Sequence, residues 1–222
     1  SLYLTRDIAN LKYRVSKYKP TKILYVVGNE QSLHFEQLFA IAGILSLDKQ
    51  ELTHIKYGLV LGENKKKMST REGEAVSIEE VIKKATNLAH DIVEKKSRRH
   101  DGSSGVGTPT KTSEEKAQIA RTVALGALKY EMLKEHRNSD TVFDWQKMLD
   151  FRGNSAPYLQ YTYARLSSII KKAGWTWRLN LTVKLNLQKL IEKSELTMAK
   201  HLLDFPDVIA DSAESYLTNN LA

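Results

Sequence analysis

The sequence predicts an α/β unit followed by an all-α one, and three observations carry that expectation. Before about residue 95, short β-rich apolar runs alternate with amphipathic segments, the order that builds a sheet flanked by helices. After about residue 95, capping boxes and apolar residues at helical spacing dominate, and the remainder reads as helix. Between the two lie a strongly basic stretch, Lys95 to His100, and a Gly-, Ser- and Thr-rich stretch from Asp101 to Thr110, which reads as a surface loop.

The elements follow in order. Lys22 to Val27 is a short, mostly apolar, β-rich run ending at Gly28, the pattern of a parallel strand buried on both faces. Ser32 is a candidate N-cap, and Leu38, Ile41, Ala42 and Leu45 fall at i, i+3, i+4 and i+7, which predicts a helix with one buried stripe. His54 to Leu61 reads as a second strand, with Ile55, Tyr57, Leu59 and Leu61 alternating against Lys56, Gly58 and Val60. It runs through Gly62-Glu63-Asn64 into Lys65-Lys66-Lys67-Met68-Ser69-Thr70-Arg71-Glu72-Gly73, a cationic, hydroxyl-bearing loop. That loop sits at a strand's carboxyl end, where open α/β sheets bind ligands.

Ser77-Ile78-Glu79-Glu80 is a capping box ahead of a long amphipathic helix through Val81, Ile82, Ala85, Leu88, Ala89, Ile92 and Val93. Thr112-Ser113-Glu114-Glu115 is another, opening a helix whose Ala117, Ala120, Ala124, Ala127 and Leu128 form a narrow face suited to close packing. The chain then turns through Asn138-Ser139-Asp140 and carries Phe143 and Trp145. Tyr158 to Lys172 reads as a helix stopped by Gly174, Leu187 to Leu203 as mostly helical, and Pro206 as the first-turn proline of a last helix.

Composition bounds the function. With 222 residues, 41% of them hydrophobic, the chain can bury a core. The balance of 34 basic against 26 acidic residues, a formal charge of +8, favours a polyanionic partner such as nucleic acid or nucleotide. The absence of cysteine excludes disulfides, thiolate zinc sites and cysteine nucleophiles. No apolar run approaches the ~20 residues that span a bilayer, no signal-peptide pattern opens the sequence, and a cytoplasmic setting is expected. The first residue is Ser1 rather than methionine and patterned sequence starts at once, so a segment of something longer is expected.

A lysine-rich loop alone is more often a solvated turn than a site. Lys67, Ser69, Thr70 and Arg71 nevertheless supply charge and hydroxyl donors suited to phosphate oxygens, and Gly73 lets the loop bend. The Gly-x-x-x-x-Gly-Lys-Ser/Thr spacing of a P-loop is missing. Lys67-Met68-Ser69-Thr70-Arg71 instead resembles the Lys-Met-Ser-Lys-Ser signature of class I aminoacyl-tRNA synthetases. Four further segments occur in the order seen in arginyl-tRNA synthetases. They are Tyr3-Leu4-Thr5-Arg6-Asp7, Gln31-Ser32-Leu33-His34-Phe35, Asn138-Ser139-Asp140 with Phe143-Asp144, and Phe151-Arg152-Gly153-Asn154 with Pro157-Tyr158-Leu159-Gln160-Tyr161. The resemblance spans nearly the whole chain.

That resemblance implies the second half of a Rossmann-type catalytic domain over residues 1–95, a linker and stem-contact helical region over 96–152, and the start of an α-helical anticodon-binding domain over 153–222. It implies that Tyr3, Asp7 and Gln31 hold the arginine substrate. From residue chemistry alone, Asp7 also fits a helix N-cap and Tyr3 a core aromatic. Lys67 is the implied catalytic residue, stabilising charge at the phosphates. His34, Gly58, Met68, Ser69, Thr70 and Arg71 are the implied ATP contacts, with Mg2+ carried on the ATP and no dedicated metal site. Thr70 stands where the signature has its second lysine, and Glu72 where a basic residue is common, so Arg71 is expected to restore the charge.

The implied reaction joins arginine to ATP as arginyl-adenylate and then to tRNA-Arg, in a protein expected to be a monomer. A different class of reading is a non-catalytic RNA-binding or regulatory protein descended from a synthetase. The family's His-Ile-Gly-His signature does not occur in the sequence, so this chain is expected not to aminoacylate by itself. Tyr158, Tyr161, Tyr163, Arg165, Trp175 and Trp177 mix aromatic and cationic groups as RNA-binding surfaces do, though core packing is the more ordinary role for most of them.

Overall fold

The first helix, α1 (Leu2–Tyr18), turns one apolar position fully inward, Leu11, and the strand β1 (Lys22–Gly28) answers with Ile23. In the computed structural model, which describes residues 2–62, 66, 76–101, 111–174 and 192–222, these two meet Ala42 of α2 (Ser32–Ile44) in a small core edged by Val15, Tyr25, Leu47 and Leu52. A single 3-10 turn, Asn29–Gln31, joins β1 to α2, and the chain returns as β2 (Glu51–Tyr57). The two strands pair in parallel, Lys22 against Glu51 through Gly28 against Tyr57, so this is a βαβ unit.

The expected strand buried on both faces is buried on one. Leu24 and Val26 are exposed while Ile23 is buried, because α1 and α2 cover a single face of the two-stranded sheet. The stripe of α2 is also rotated from the expected one. Phe35, Leu38 and Ala42 are buried, whereas Leu45 lies past the helix end and is exposed. Ser32 is the first helical residue rather than the cap. Its hydroxyl donates to the Asn29 carbonyl at 2.8 Å, and Gln31 occupies the cap position without a side-chain cap.

The predicted strand from His54 to Leu61 is broken at Gly58. Its second piece, β3 (Val60–Leu61), pairs in parallel with β4 (Thr141–Val142), a short strand inside the region expected to be helical. The cause is long-range: residues 137–141 dock on the break, and no local pattern announces a partner about 80 residues away in sequence.

Helices α3 (Ile78–Asp101) and α4 (Ser113–Leu133) build the larger core. Both capping boxes form as expected, Ser77 with Glu80 and Thr112 with Glu115, each side chain accepting from the other's backbone N–H at 2.8 to 3.3 Å. Ala85 and Ala89 of α3 meet Ala120, Ala124 and Ala127 of α4, small residues that let the helix backbones approach closely. Ala117, the first of the predicted face, is exposed. Phe143, Met148 and Leu149 close the core from the segment around the short helix α5 (Trp145–Met148), and Lys84 lies 4.2 Å from the Trp145 ring centroid.

Helix α6 (Ala156–Lys172) is capped by Ser155 and ends before Gly174, whose φ of +70° suits glycine at a helix stop. Helix α7 (Lys193–Ser215) corrects the expectation for Pro206, which lies inside one continuous helix. Proline withholds an N–H from the Leu202 carbonyl, so the helix forgoes one backbone hydrogen bond there. Trp175, Trp177 and the Asp101-to-Thr110 loop beyond its first residue lie outside the described residues.

Asp144 caps the short helix α5. Its Oδ1 accepts from the backbone N–H groups of Gln146 and Lys147, both at 3.0 Å. The hydrogen bond from the Lys147 backbone, ahead of lesser contributions from the Lys147 side chain and Gln146, holds its carboxyl below the usual carboxylate range. A folded pKa below the unfolded value contributes stability above the unfolded pKa, about 3.9 for Asp, and that contribution is lost as pH falls through the folded pKa. Asp144→Ala is therefore expected to cost about 1 kcal/mol at neutral pH, the usual worth of an N-cap. In urea melts, the gap between parent and variant should narrow as pH falls below the usual carboxylate range.

Candidate active site

In a parallel strand pair, backbone leaving the two carboxyl ends opens onto one crevice, and side chains there can converge on a ligand. Gly28 and Tyr57 stand in register at those ends, so the Asn29–Gln31 turn and Gly58 leave the sheet side by side. Gln31 is exposed on that turn, and His34 follows in the first turn of α2.

Helix α1 brings Asp7 to the same place. His34 Nε2 lies 2.8 Å from Asp7 Oδ2, with Asp7 partly exposed and His34 more covered. Asp7 is interior to α1 rather than at its N-cap, and Tyr3, one turn before it, is 73% exposed in this chain. Tyr3 and Asp7 lie on neighbouring turns of one helix, as i, i+4 residues do.

An aromatic wedge supports the site from below. Phe35 sits 5.0 Å from Tyr25 and 4.4 Å from His54 between ring centroids, and Phe39 packs 5.7 Å from Tyr25. His54 Nε2 lies 3.0 Å from the Val27 carbonyl, a contact that requires the proton on that nitrogen. Burial pushes the Tyr25 phenol up, the Arg14 guanidinium opposes that rise, and the charge of Asp7 adds to it. Tyr25, Phe39 and His54 escape sequence reasoning, since aromatic and histidine residues in a strand or helix look like ordinary core.

On the other side, Gly58 meets residues 137–141. A Cβ on Gly58 would stand 2.3 Å from the Ser139 carbonyl oxygen and 2.5 Å from its carbon, so only glycine fits. Gly58 N–H donates to Arg137 O at 2.8 Å, Leu59 N–H to Asp140 Oδ1 at 2.7 Å, and Arg137 Nη1 to Lys56 O at 2.9 Å. This packing accounts for a glycine at position 58 independently of any nucleotide. The β3–β4 ladder continues the contact, with Thr141 N–H on Leu59 O and Phe143 N–H on Leu61 O, both 2.8 Å. The root of the basic loop is closed by Gly62 N–H on Lys66 O at 2.8 Å. Lys67, Met68, Ser69, Thr70 and Arg71 lie outside the described residues.

Comparison with known proteins agrees with this arrangement. Residues 1–145 match the family model described as tRNA synthetases class I (R), catalytic domain, and residues 159–222 match the DALR anticodon binding domain. This chain belongs to the class I arginyl-tRNA synthetase family. It is 36% identical over 218 residues to an arginine-tRNA ligase of Chloroflexus aurantiacus, covering 97% of this chain and 36% of that protein. It is 37% identical over 222 residues to one of Synechocystis sp., covering 99% and 36%. The chain thus spans about a third of the length of the curated relatives it matches.

Among solved structures, Thermus thermophilus arginyl-tRNA synthetase matches at TM-score 0.67 and 32% identity, over 91% of this chain and 31% of that one. Plasmodium falciparum arginyl-tRNA synthetase matches at TM-score 0.70 over 97% and 34%, and its 24% identity speaks to fold alone. As in a class I synthetase, an α/β part comes first and a helical part second. In the helical part of this family member, Tyr158, Tyr161 and Tyr163 are 45% to 63% exposed on α6.

Gly58→Ala is expected to destabilise the fold by about 1–3 kcal/mol, the usual cost of overpacking. Equilibrium denaturation checks this, and the loss should exceed that of Gly174→Ala, where a Cβ meets nothing within 4 Å and only the positive φ opposes it.

Proposed function

We propose that this chain works within an arginine-tRNA ligase, supplying the arginine pocket and the ATP-side loop of the catalytic centre. The supporting observation is the placement of Asp7, partly exposed beside the crevice at the carboxyl ends of β1 and β2 and one helical turn from Tyr3. A carboxylate is the natural partner of a guanidinium, which it can receive through two parallel N–H···O bonds. Tyr3 supplies a ring or hydroxyl beside it, and Gln31 an amide from the turn after β1. The proposed division is a catalytic part over residues 1–95, a stem-contact part over 96–152, and the start of the anticodon-binding part over 153–222.

The chemistry asks little covalent work of the protein. Arginine's carboxylate attacks the α-phosphate of ATP, releasing pyrophosphate, and the arginyl group then passes to the terminal ribose of tRNA-Arg. Magnesium accompanies the ATP phosphates. Rate comes from positioning and from charge stabilisation where charge develops. Lys67 is the proposed stabiliser, with Met68, Ser69, Thr70 and Arg71 around the nucleotide and Gly58 at its adenine side. The β3–β4 ladder would hold the root of that loop beside the nucleotide. The net charge of +8 suits a tRNA partner. A cytoplasmic, monomeric enzyme fits this reading.

Arginine-dependent pyrophosphate exchange, measured on the full-length protein with tRNA present, tests it. Lys67→Ala should lower kcat on the order of 100-fold, as loss of a transition-state donor does, with little change in KM for arginine. An unaltered rate removes Lys67 from this role. Exchange driven equally well by another amino acid refutes the arginine assignment.

A further inference from the structure

We infer that His34 is a positioning residue for the arginine side of the site, acting through Asp7 rather than on the nucleotide. The inference rests on the reading of Asp7 as the guanidinium acceptor.

Three observations carry it. First, an ionised carboxylate only accepts hydrogen bonds, so the 2.8 Å contact between His34 Nε2 and Asp7 Oδ2 places the hydrogen on Nε2 and commits that nitrogen to Asp7. Any contact from His34 to a nucleotide is left to Nδ1. Second, the two residues come from different helices 27 positions apart, and those helices are fixed against one another through Leu11, Ile23 and Ala42. The imidazole is itself packed edge-on to Phe35, which is buried against Tyr25 and His54. Third, Asp7 sits in the middle of a helix and is partly exposed, so without a partner its carboxylate would sample several rotamers. A donor on Oδ2 fixes one of them and leaves Oδ1 and the second lone pair of Oδ2 for the two N–H groups of a guanidinium. Pre-setting the acceptor lowers the entropy cost of binding a guanidinium.

The test uses the full-length protein, with KM for arginine and for ATP measured separately in tRNA-dependent pyrophosphate exchange. His34→Leu removes the donor, His34→Gln restores an N–H near the position of Nε2, and Asp7→Asn is the reference for losing the acceptor. His34→Leu should raise the arginine KM about tenfold, the scale of one hydrogen bond to a charged group, with the ATP KM within about twofold of the parent value. His34→Gln should recover most of that loss, which a merely structural role would not allow. If His34→Leu does not fold, His34→Asn, whose amide is too short to reach Oδ2, takes its place in the comparison. A rise in the ATP KM with an unchanged arginine KM overturns the inference while leaving the arginine pocket intact. An unchanged arginine KM in Asp7→Asn overturns the pocket reading and the inference with it.

Discussion

The Ser139–Asp140 peptide lies so close to Gly58 that position 58 cannot carry a side chain, and much of the molecule is arranged around that contact. It interrupts what would otherwise be one continuous strand. The second piece turns to pair with β4, which carries Phe143 into the core shared by α3 and α4. The same contact ties the end of α4, at Leu133, to the α/β unit through Arg137 and Asp140. The root of the basic loop leaves from this junction.

Two packing schemes share the work. Around α1, β1 and α2 the core is small, with Leu11, Ile23 and Ala42 fully or nearly buried and aromatic rings filling the rest. Its task is to hold α1 against α2 so that Asp7 and His34 meet. Between α3 and α4 the core is built of alanines, which give little transfer energy each but permit long, close helix contact. The first scheme sets the geometry of a site, and the second supplies a rigid body on which residues 137–143 are presented.

Local chemistry was the most legible part of the sequence. Ser77 with Glu80 and Thr112 with Glu115 announce their helices because a capping box is contained within four residues. Lys22 to Gly28 reads as a strand, yet its single buried face does not, since the apolar character of Leu24 and Val26 is the same whether or not something covers them. The break at Gly58 was illegible because its cause lies at Ser139. Pro206 was misplaced because proline at a helix start and proline inside an exposed helix look alike in one dimension. Of the proposed site, Tyr3, Asp7 and Gln31 were reached through family resemblance, and residue chemistry alone offered Asp7 and Tyr3 equally ordinary roles. The contact between Asp7 and His34 could not be read at all, because it depends on how two helices pack.

In the proposed site, the crevice beside Asp7 takes arginine's guanidinium, with His34 holding the carboxylate rather than the nucleotide. A structure of the full-length protein with arginine and a non-hydrolysable ATP analogue measures this directly. The expected result is a guanidinium nitrogen within hydrogen-bond distance of Asp7, His34 Nε2 still on Oδ2, and the adenine and phosphates toward Gly58 and Lys67. Arginine seated away from Asp7, or His34 turned from Asp7 onto the nucleotide, would contradict it.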